Sequence, residues 1–244
     1  MRDTETRDVC IVGAGPAGLT AALFTARAGL DTLVCNTGEP ILRRNAHLEN
    51  VPGFPAGVNS RLFLEMLTDQ CERNGCEISQ SAVQSVASAD DGFTVETDSA
   101  TVETPFVVCA SWADSDYLDV SGIERLERGS KTYLETDGDG HTGVDGLYAA
   151  GRLAGQRHQT VVSAGHGATV GLAVIHASDV PFYHDWVAPE GYFTGRGRDV
   201  PPGCEEIDED ERTRRERESM RVMSEYFSDP HPDEPTQHPA VRED

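Results

Sequence analysis

Lysine is almost missing from this chain, with Lys131 the single example among 244 residues. Basic charge as a whole is scarce: 20 Lys and Arg stand against 42 Asp and Glu, for a formal net charge of −22. That balance excludes a nucleic-acid interface, which needs a basic footprint. It favours solubility through self-repulsion. Spread along the whole chain with so little lysine, it reads as halophilic adaptation to a high-salt interior, where screening removes the repulsion. Long apolar runs are also lacking, and none is expected to cross a bilayer. The polar N-terminus runs straight into an apolar strand and lacks signal-peptide form. The expectation is a cytoplasmic protein without membrane contact. The six cysteines lack metal or C-x-x-C spacing. Cys10, Cys35 and Cys109 fall in apolar runs, as small buried hydrophobes. Cys71 and Cys76 are a poor match to a redox pair. No metal site and no disulfide framework are expected, and His231 and His238 near the C-terminus read as solvated. There is no internal repeat.

What is present is a strong signal near the N-terminus. The apolar run Val9-Cys10-Ile11-Val12 leads directly into Gly13, Gly15 and Gly18 in G-x-G-x-x-G spacing, followed by an alanine-rich helical pattern. Strand, tight turn and helix in that order form the first unit of a dinucleotide-binding fold. Gly13 permits the turn, Gly15 lets the backbone approach a pyrophosphate, and Gly18 lets helix pack on strand. Phosphates would sit on the helix N-terminus, at Gly13, Gly15, Pro16 and Ala17. Alone, the loop allows NAD or FAD. A second strand, Thr32–Cys35, ends at Asn36, where an acid normally meets the ribose hydroxyls. Asn36 can hydrogen-bond a hydroxyl or simply start a turn, and Glu39 is a substitute acid.

Further along, a Pro/Gly loop at 45–55 precedes a helix capped by Ser60. Glu77-Ile78, Val83–Val86 and Phe93–Thr97 read as antiparallel strands with a turn at 90–92. Pro105–Ala110 reads as a buried central strand. Residues 111–130 are polar and weakly patterned. Lys131–Thr136 is a short strand, Val144–Arg152 a strand with a glycine turn, and Thr160–Ile175 a helix. The glycines of that helix, Gly165, Gly167 and Gly171, indicate close approach by a ligand or another backbone. Aromatics, Pro and Gly fill 181–203. Residues 205–227 form a charged helix, solvated or partner-bound, and 229–244 are expected to be disordered.

Four stretches together resemble the FAD half of low-molecular-weight thioredoxin reductases, in the pyridine nucleotide-disulfide oxidoreductase class. They are the glycine loop, Leu48-Glu49-Asn50-Val51-Pro52-Gly53, Phe106–Ala113, and Gly146–Arg152 with Gln159–Gly167. The resemblance covers residues 8–180. It implies an α/β, Rossmann-like three-layer FAD-binding fold, with a parallel sheet, helices and a small antiparallel β-meander. Residues 1–180 would be the FAD domain, in halves of about 1–115 and 130–180. Residues 181–228 would add an aromatic segment and the charged helix. The flavin would lie near Ser111, Gly151, Arg152, Gln159 and Thr160, favouring FAD over NAD. The helix from Thr160 would aim its N-terminus at the ring.

The departures carry weight. No NADPH domain with its C-x-x-C fits between residues 112 and 144. Trp112 stands at a family glycine, where the backbone needs conformational freedom or room. Arg152 replaces an acid, and is expected to pair with a phosphate, Asp145 or another acid. The expected function is an FAD-dependent oxidoreductase without its own dithiol. Electrons would come from a redox partner protein (ferredoxin or a reductase) or directly from NAD(P)H. The alternative is a degenerate, non-catalytic nucleotide-binding or interaction module, and a homodimer is compatible with either. His158 and His47, and after them His166, are the candidate proton shuttles.

Overall fold

A computed structural model describes residues 4–129, 131–238 and 241. In chain order the strands and helices are β1 (Thr4–Thr6), β2 (Val9–Val12), α1 (Pro16–Arg27), β3 (Thr32–Cys35), α2 (Ser60–Arg73), β4 (Glu77–Ser79), β5 (Val83–Ala89), β6 (Gly92–Thr97), β7 (Thr101–Thr104), β8 (Phe106–Cys109), β9 (Leu118–Asp119), β10 (Arg125–Arg128), β11 (Lys131–Leu134), β12 (Leu147–Ala149), α3 (Thr160–Ala177), β13 (Trp186–Pro189), β14 (Cys204–Ile207) and α4 (Glu209–Tyr226).

The apolar runs become one parallel sheet in the order β12-β8-β2-β3-β4. All four residues of β2 and of β3 are buried. That fits strands covered on both faces, which read as continuous rather than alternating hydrophobics. On one face Ile11, Val34, Val108 and Tyr148 pack under Leu19 and Ala22 of α1 and Val170 and Val174 of α3. On the other, Cys10, Leu33, Val107 and Leu147 meet Val86, Phe93, Val95 and Val102. Those last residues belong to a second sheet, β1-β7-β6-β5-β9, in which β5, β6 and β7 are antiparallel. β6 alternates between half-buried and buried positions, as a strand with one covered face should. The result is the expected three layers of helix, parallel sheet and β-meander.

Several local expectations are corrected. Glu77-Ile78 is not an antiparallel strand: β4 runs parallel to β3 and closes the edge of the main sheet. Asn59, not Ser60, caps α2, its Oδ1 accepting from Arg61 N at 2.9 Å and Leu62 N at 3.4 Å. Ser60 Oγ instead donates to Asn45 O at 2.6 Å, a tertiary bond that draws it off the helix end. The weak stretch at 111–130 contains β9 and β10, and β10 pairs antiparallel with β11 as a hairpin. α3 has the length and composition to cross a membrane, against the expectation of no such run. Here it lies on α1. A Cβ at Gly167 would stand 2.1 Å from Ala17 O, and one at Gly171 would stand 3.0 Å from Ala21 O. The close approach inferred for these two glycines is therefore by another backbone.

After α3 the chain forms a small parallel pair, β13 with β14. Its loop is gathered on the Glu206 carboxylate, which accepts from the amides of Gly191, Phe193 and Thr194 and from Thr194 Oγ1. Desolvation works against ionisation there, but the bonds from Thr194 and Phe193 outweigh it and bring the pKa down to about 2. The stabilisation is full above the ordinary carboxylate pKa and is lost as pH falls through about 2. Trp186, edge-on to Tyr192 at 4.6 Å, should report this as a fluorescence change between pH 4.5 and 2 that Glu206→Gln abolishes.

α4 buries no residue. Asp208 caps it, and arginine–carboxylate pairs such as Arg214–Glu211 and Arg221–Glu225 line it. In the segment that follows, the reading of His231 as solvated is corrected. The His231 side chain is only 3% exposed and its Nε2 lies 2.8 Å from Glu65. Asp233 pairs with Arg43 at 2.7 Å, and Thr236 Oγ1 donates to Glu39 at 2.6 Å. These polar residues lie along α2 and the loop before it, where Asp233 and Thr236 join the Arg43–Glu39 ion pair. Residues 239, 240 and 242–244 fall outside the described residues.

Candidate functional site

The site begins where β2 ends. Gly13 turns the chain at φ +111°, and a Cβ there would meet Ala110 O at 2.7 Å. Gly18 lets α1 close on that turn, since a Cβ would stand 1.9 Å from Gly13 O. Gly15 is different: nothing lies within 4 Å of the place its Cβ would take. It forms the open N-cap of α1, with Pro16 as the first helical residue and no side chain capping the end. The first-turn amides are thus unpaired and face the open side, where the helix dipole favours an anion. Asn36 ties this loop to β3, its Oδ1 accepting from Ala14 N and its Nδ2 donating to Gly38 O, each at 3.2 Å. Its side chain is committed to the turn, which leaves Glu39 as the carboxylate at that end of the cleft.

From Gly15 a cleft of about 910 Å³ runs to the N-terminus of α3. That is the size of a cofactor site. Of the residues singled out from sequence, Gly13, Gly15, Pro16, Ala17, Asn36, His47, Ser111, Arg152, His158, Gln159 and Thr160 line it. Gly18 and Gly151 stand behind its wall as packing residues. Gly151, at φ +64°, lies against Ala17, 2.6 Å from a Cβ to the Ala17 Cβ, and donates its N–H to His166 Nδ1 at 3.1 Å. His166 is therefore a buried support for that turn, its pKa pushed down by burial.

At the far end α3 starts at Thr160 with no side-chain cap, so a second set of free amides faces the cleft. The cap residue, Gln159, spends its Oε1 on Asn50 Nδ2 at 2.7 Å, joining α3 to the 45–58 loop. Ser111 Oγ donates to Asp114 O at 2.6 Å and shares a bond with Tyr117 at 2.7 Å. His47 is held by Glu49 at 2.7 Å.

Trp112 is the one non-glycine at positive φ among the described residues, at +65°. Such a conformation costs about 1–2 kcal/mol for a side chain of this kind. Its ring stands edge-on to His158 at 4.5 Å, with Lys131 Nζ 5.0 Å from its centroid. Among the described residues Arg152 meets no acid, neither Asp145 nor another. It donates to Gln156 O at 3.0 Å and to Tyr133 OH at 2.6 Å, its guanidinium 4.9 Å from the Tyr133 centroid. Burial, then Arg152, then Lys131, push the His158 pKa down, so its neutral, proton-accepting form prevails near pH 7. Sequence reasoning missed Asn50, which lines the cleft, and Lys131 and Tyr133, which stand against the lining residues Trp112 and Arg152. The available signal was that Lys131 is the chain's one lysine.

Of the cysteines Cys35 lines the cleft, while Cys71, Cys76 and Cys109 do not. Burial pushes Cys71, Cys76 and Cys109 up to about 12. Cys71 also donates to Leu19 O at 3.1 Å. A maleimide at pH 8 should modify the partly exposed Cys204 in the folded protein. These three thiols should react only after unfolding, which peptide mapping would read.

Residues 8–46 match the family model described as FAD binding domain. A thioredoxin reductase of Listeria monocytogenes is 35% identical over 128 residues, which are 52% of this chain and 40% of that one. A thioredoxin reductase of Streptomyces clavuligerus is 42% identical over 100 residues, 40% of this chain and 31% of its own. The chain thus spans less than half the length of these relatives. Among solved structures, a thioredoxin reductase from Gloeobacter violaceus superposes with a TM-score of 0.63 at 17% identity, covering 70% of this chain and 95% of that one. The fold is the α/β, Rossmann-like fold of that group, and FAD is its cofactor. The residues present fit that cofactor: Gly15 leaves a cradle that any Cβ would fill, and two uncapped helix ends face one continuous cleft.

Proposed function

We propose that this chain is an FAD-dependent oxidoreductase that exchanges electrons with a partner protein or with NAD(P)H and uses no dithiol of its own. One observation carries the reading: a single cleft joins the N-termini of α1 and α3. A dinucleotide lying along it would set its pyrophosphate at the N-terminus of α1, on the amides of Gly15 and Ala17, and its flavin toward Arg152, Gln159 and Thr160. FAD supplies the electron transfer; the chain's residues bind and orient it. The dipole of α3 favours negative charge beside Thr160, as on a reduced flavin. Neutral His158 is placed to accept a proton at the cleft wall. The raised, buried thiols of Cys71 and Cys76 support the absence of a working dithiol.

The test is purification in molar KCl. A yellow protein with the two flavin bands, bleached under argon by a redox partner, NADPH or NADH, is the expected result. A colourless protein that takes up no added FAD would overturn the reading. Trp112 favours a second one, a nucleotide-binding module that has lost catalysis, because a strained bulky residue stands in the cleft wall. Bound FAD that dithionite reduces, but no biological donor does, would select that alternative.

A further inference from the structure

We propose that the α3 end of the cleft holds a site for an oxyanion, a carboxylate or phosphate on the small molecule that exchanges electrons there, bound by Arg152 and Lys131 beside Trp112 and Tyr133. Its role as a substrate site rests on the flavin reading above; the site itself does not. The first ground is charge. Cations are outnumbered 20 to 42 in this chain, and many of those elsewhere pair with acids. Arg27 pairs with Asp185, Arg43 with Asp233, Arg73 with Asp69, and Arg215 with Glu205. Lys131 and Arg152 make no ion pair among the described residues and instead lie on aromatic rings. Arg128 adds its charge over the same Tyr133, 5.9 Å from the centroid.

The second ground is an open valence. Arg152 uses Nη1 on Gln156 O and Nη2 on Tyr133 OH, while its Nε is buried without a partner. A buried charged donor left unpaired is costly, and Arg152 lines the cleft. Nη1 and Nη2 each keep a second N–H, and a guanidinium already fixed in place by Tyr133 needs less ordering to bind an acceptor oxygen there. The third ground is the local field. The electrostatic influences on His158 come from Arg152 and Lys131, with no carboxylate opposing them. The pyrophosphate seat on α1 is made of backbone amides and needs none of these side chains. Their positive charge is therefore surplus to it.

The experiment is isothermal titration of the full-length protein, at one fixed KCl concentration, with inorganic phosphate, succinate and NADP⁺. Saturable binding of at least one probe is expected. Phosphate and NADP⁺ together would assign the oxyanion to a nucleotide, and succinate alone to a carboxylic acid. Arg152→Met should weaken binding about tenfold or more and Lys131→Met about threefold. Lys131→Met, on a surface hairpin, serves if Arg152→Met fails to fold. Absence of saturable binding by every probe, or affinities unchanged in both variants, would overturn the proposal. FAD content is measured in each sample. A yellow protein that binds no anion defeats this inference alone, and a flavin-free protein that binds one defeats the proposed function alone.

Discussion

Gly167→Ala should destabilise the protein by about 3 kcal/mol or more, a large share of a typical domain's stability. Gly165→Ala, two residues earlier on the same helix, should stabilise it by roughly 0.5–1 kcal/mol. The difference lies in what each new methyl meets. At Gly167 it would stand 2.1 Å from Ala17 O and 2.9 Å from Ala17 Cα. Those are backbone atoms of a packed helix and cannot rotate aside, so α1 must move. At Gly165 nothing lies within 4 Å, and alanine only removes chain entropy from the unfolded state. Denaturant midpoints of the two variants should bracket that of the parent. Changes of the same sign would mean that α1 and α3 do not meet as described.

Gly15→Val should separate folding from binding. The position has φ −82° and ψ 178°, extended backbone that any residue adopts. With no neighbour within 4 Å, the variant should fold with a stability change of no more than about 1 kcal/mol, the cost of a poorer N-cap. FAD affinity should fall by about 100-fold, near 2.7 kcal/mol, because the side chain fills the place where the pyrophosphate meets the helix amides. Equilibrium dialysis with FAD, beside denaturation of the flavin-free protein, gives both quantities. Affinity within threefold of the parent would show that the phosphates do not rest on Gly15.

These three variants probe features that local pattern made legible. A glycine triplet after an apolar run is a statement about neighbouring residues, and so are the helix from Thr160 and the continuous run of β8. What resisted reading was decided at a distance. Glu77-Ile78 has too few residues to announce a direction, and β4 is parallel because α2 carries the chain back along the sheet. Ser60 and Asn59 are both good caps; the carbonyl of Asn45, fifteen positions upstream of Ser60, settles which one serves. β9 and β10 are only 2 and 4 residues long, below the length at which alternation registers. Arg152 finds Tyr133, and Trp112 finds Lys131, only because the β10–β11 hairpin folds over the cleft's end. The resemblance did mark Trp112 as standing at a glycine position, and its φ of +65° is the conformation a glycine would hold without strain.

The contact of Gly167 with Ala17 also fixes an order of events during synthesis. The phosphate-binding helix is among the first segments made, yet its backbone partner lies 150 positions later. β12, which covers the outer side of β8, is likewise made late. Until both emerge, β8 is an unpaired sheet edge and α1 has no second helix beside it. Contacts so far apart in sequence form slowly, and open strand edges invite pairing with other chains. The nascent protein therefore passes through a stage in which its glycine loop is complete as sequence but cannot yet be held as a seat for FAD. The last third of the body closes the first.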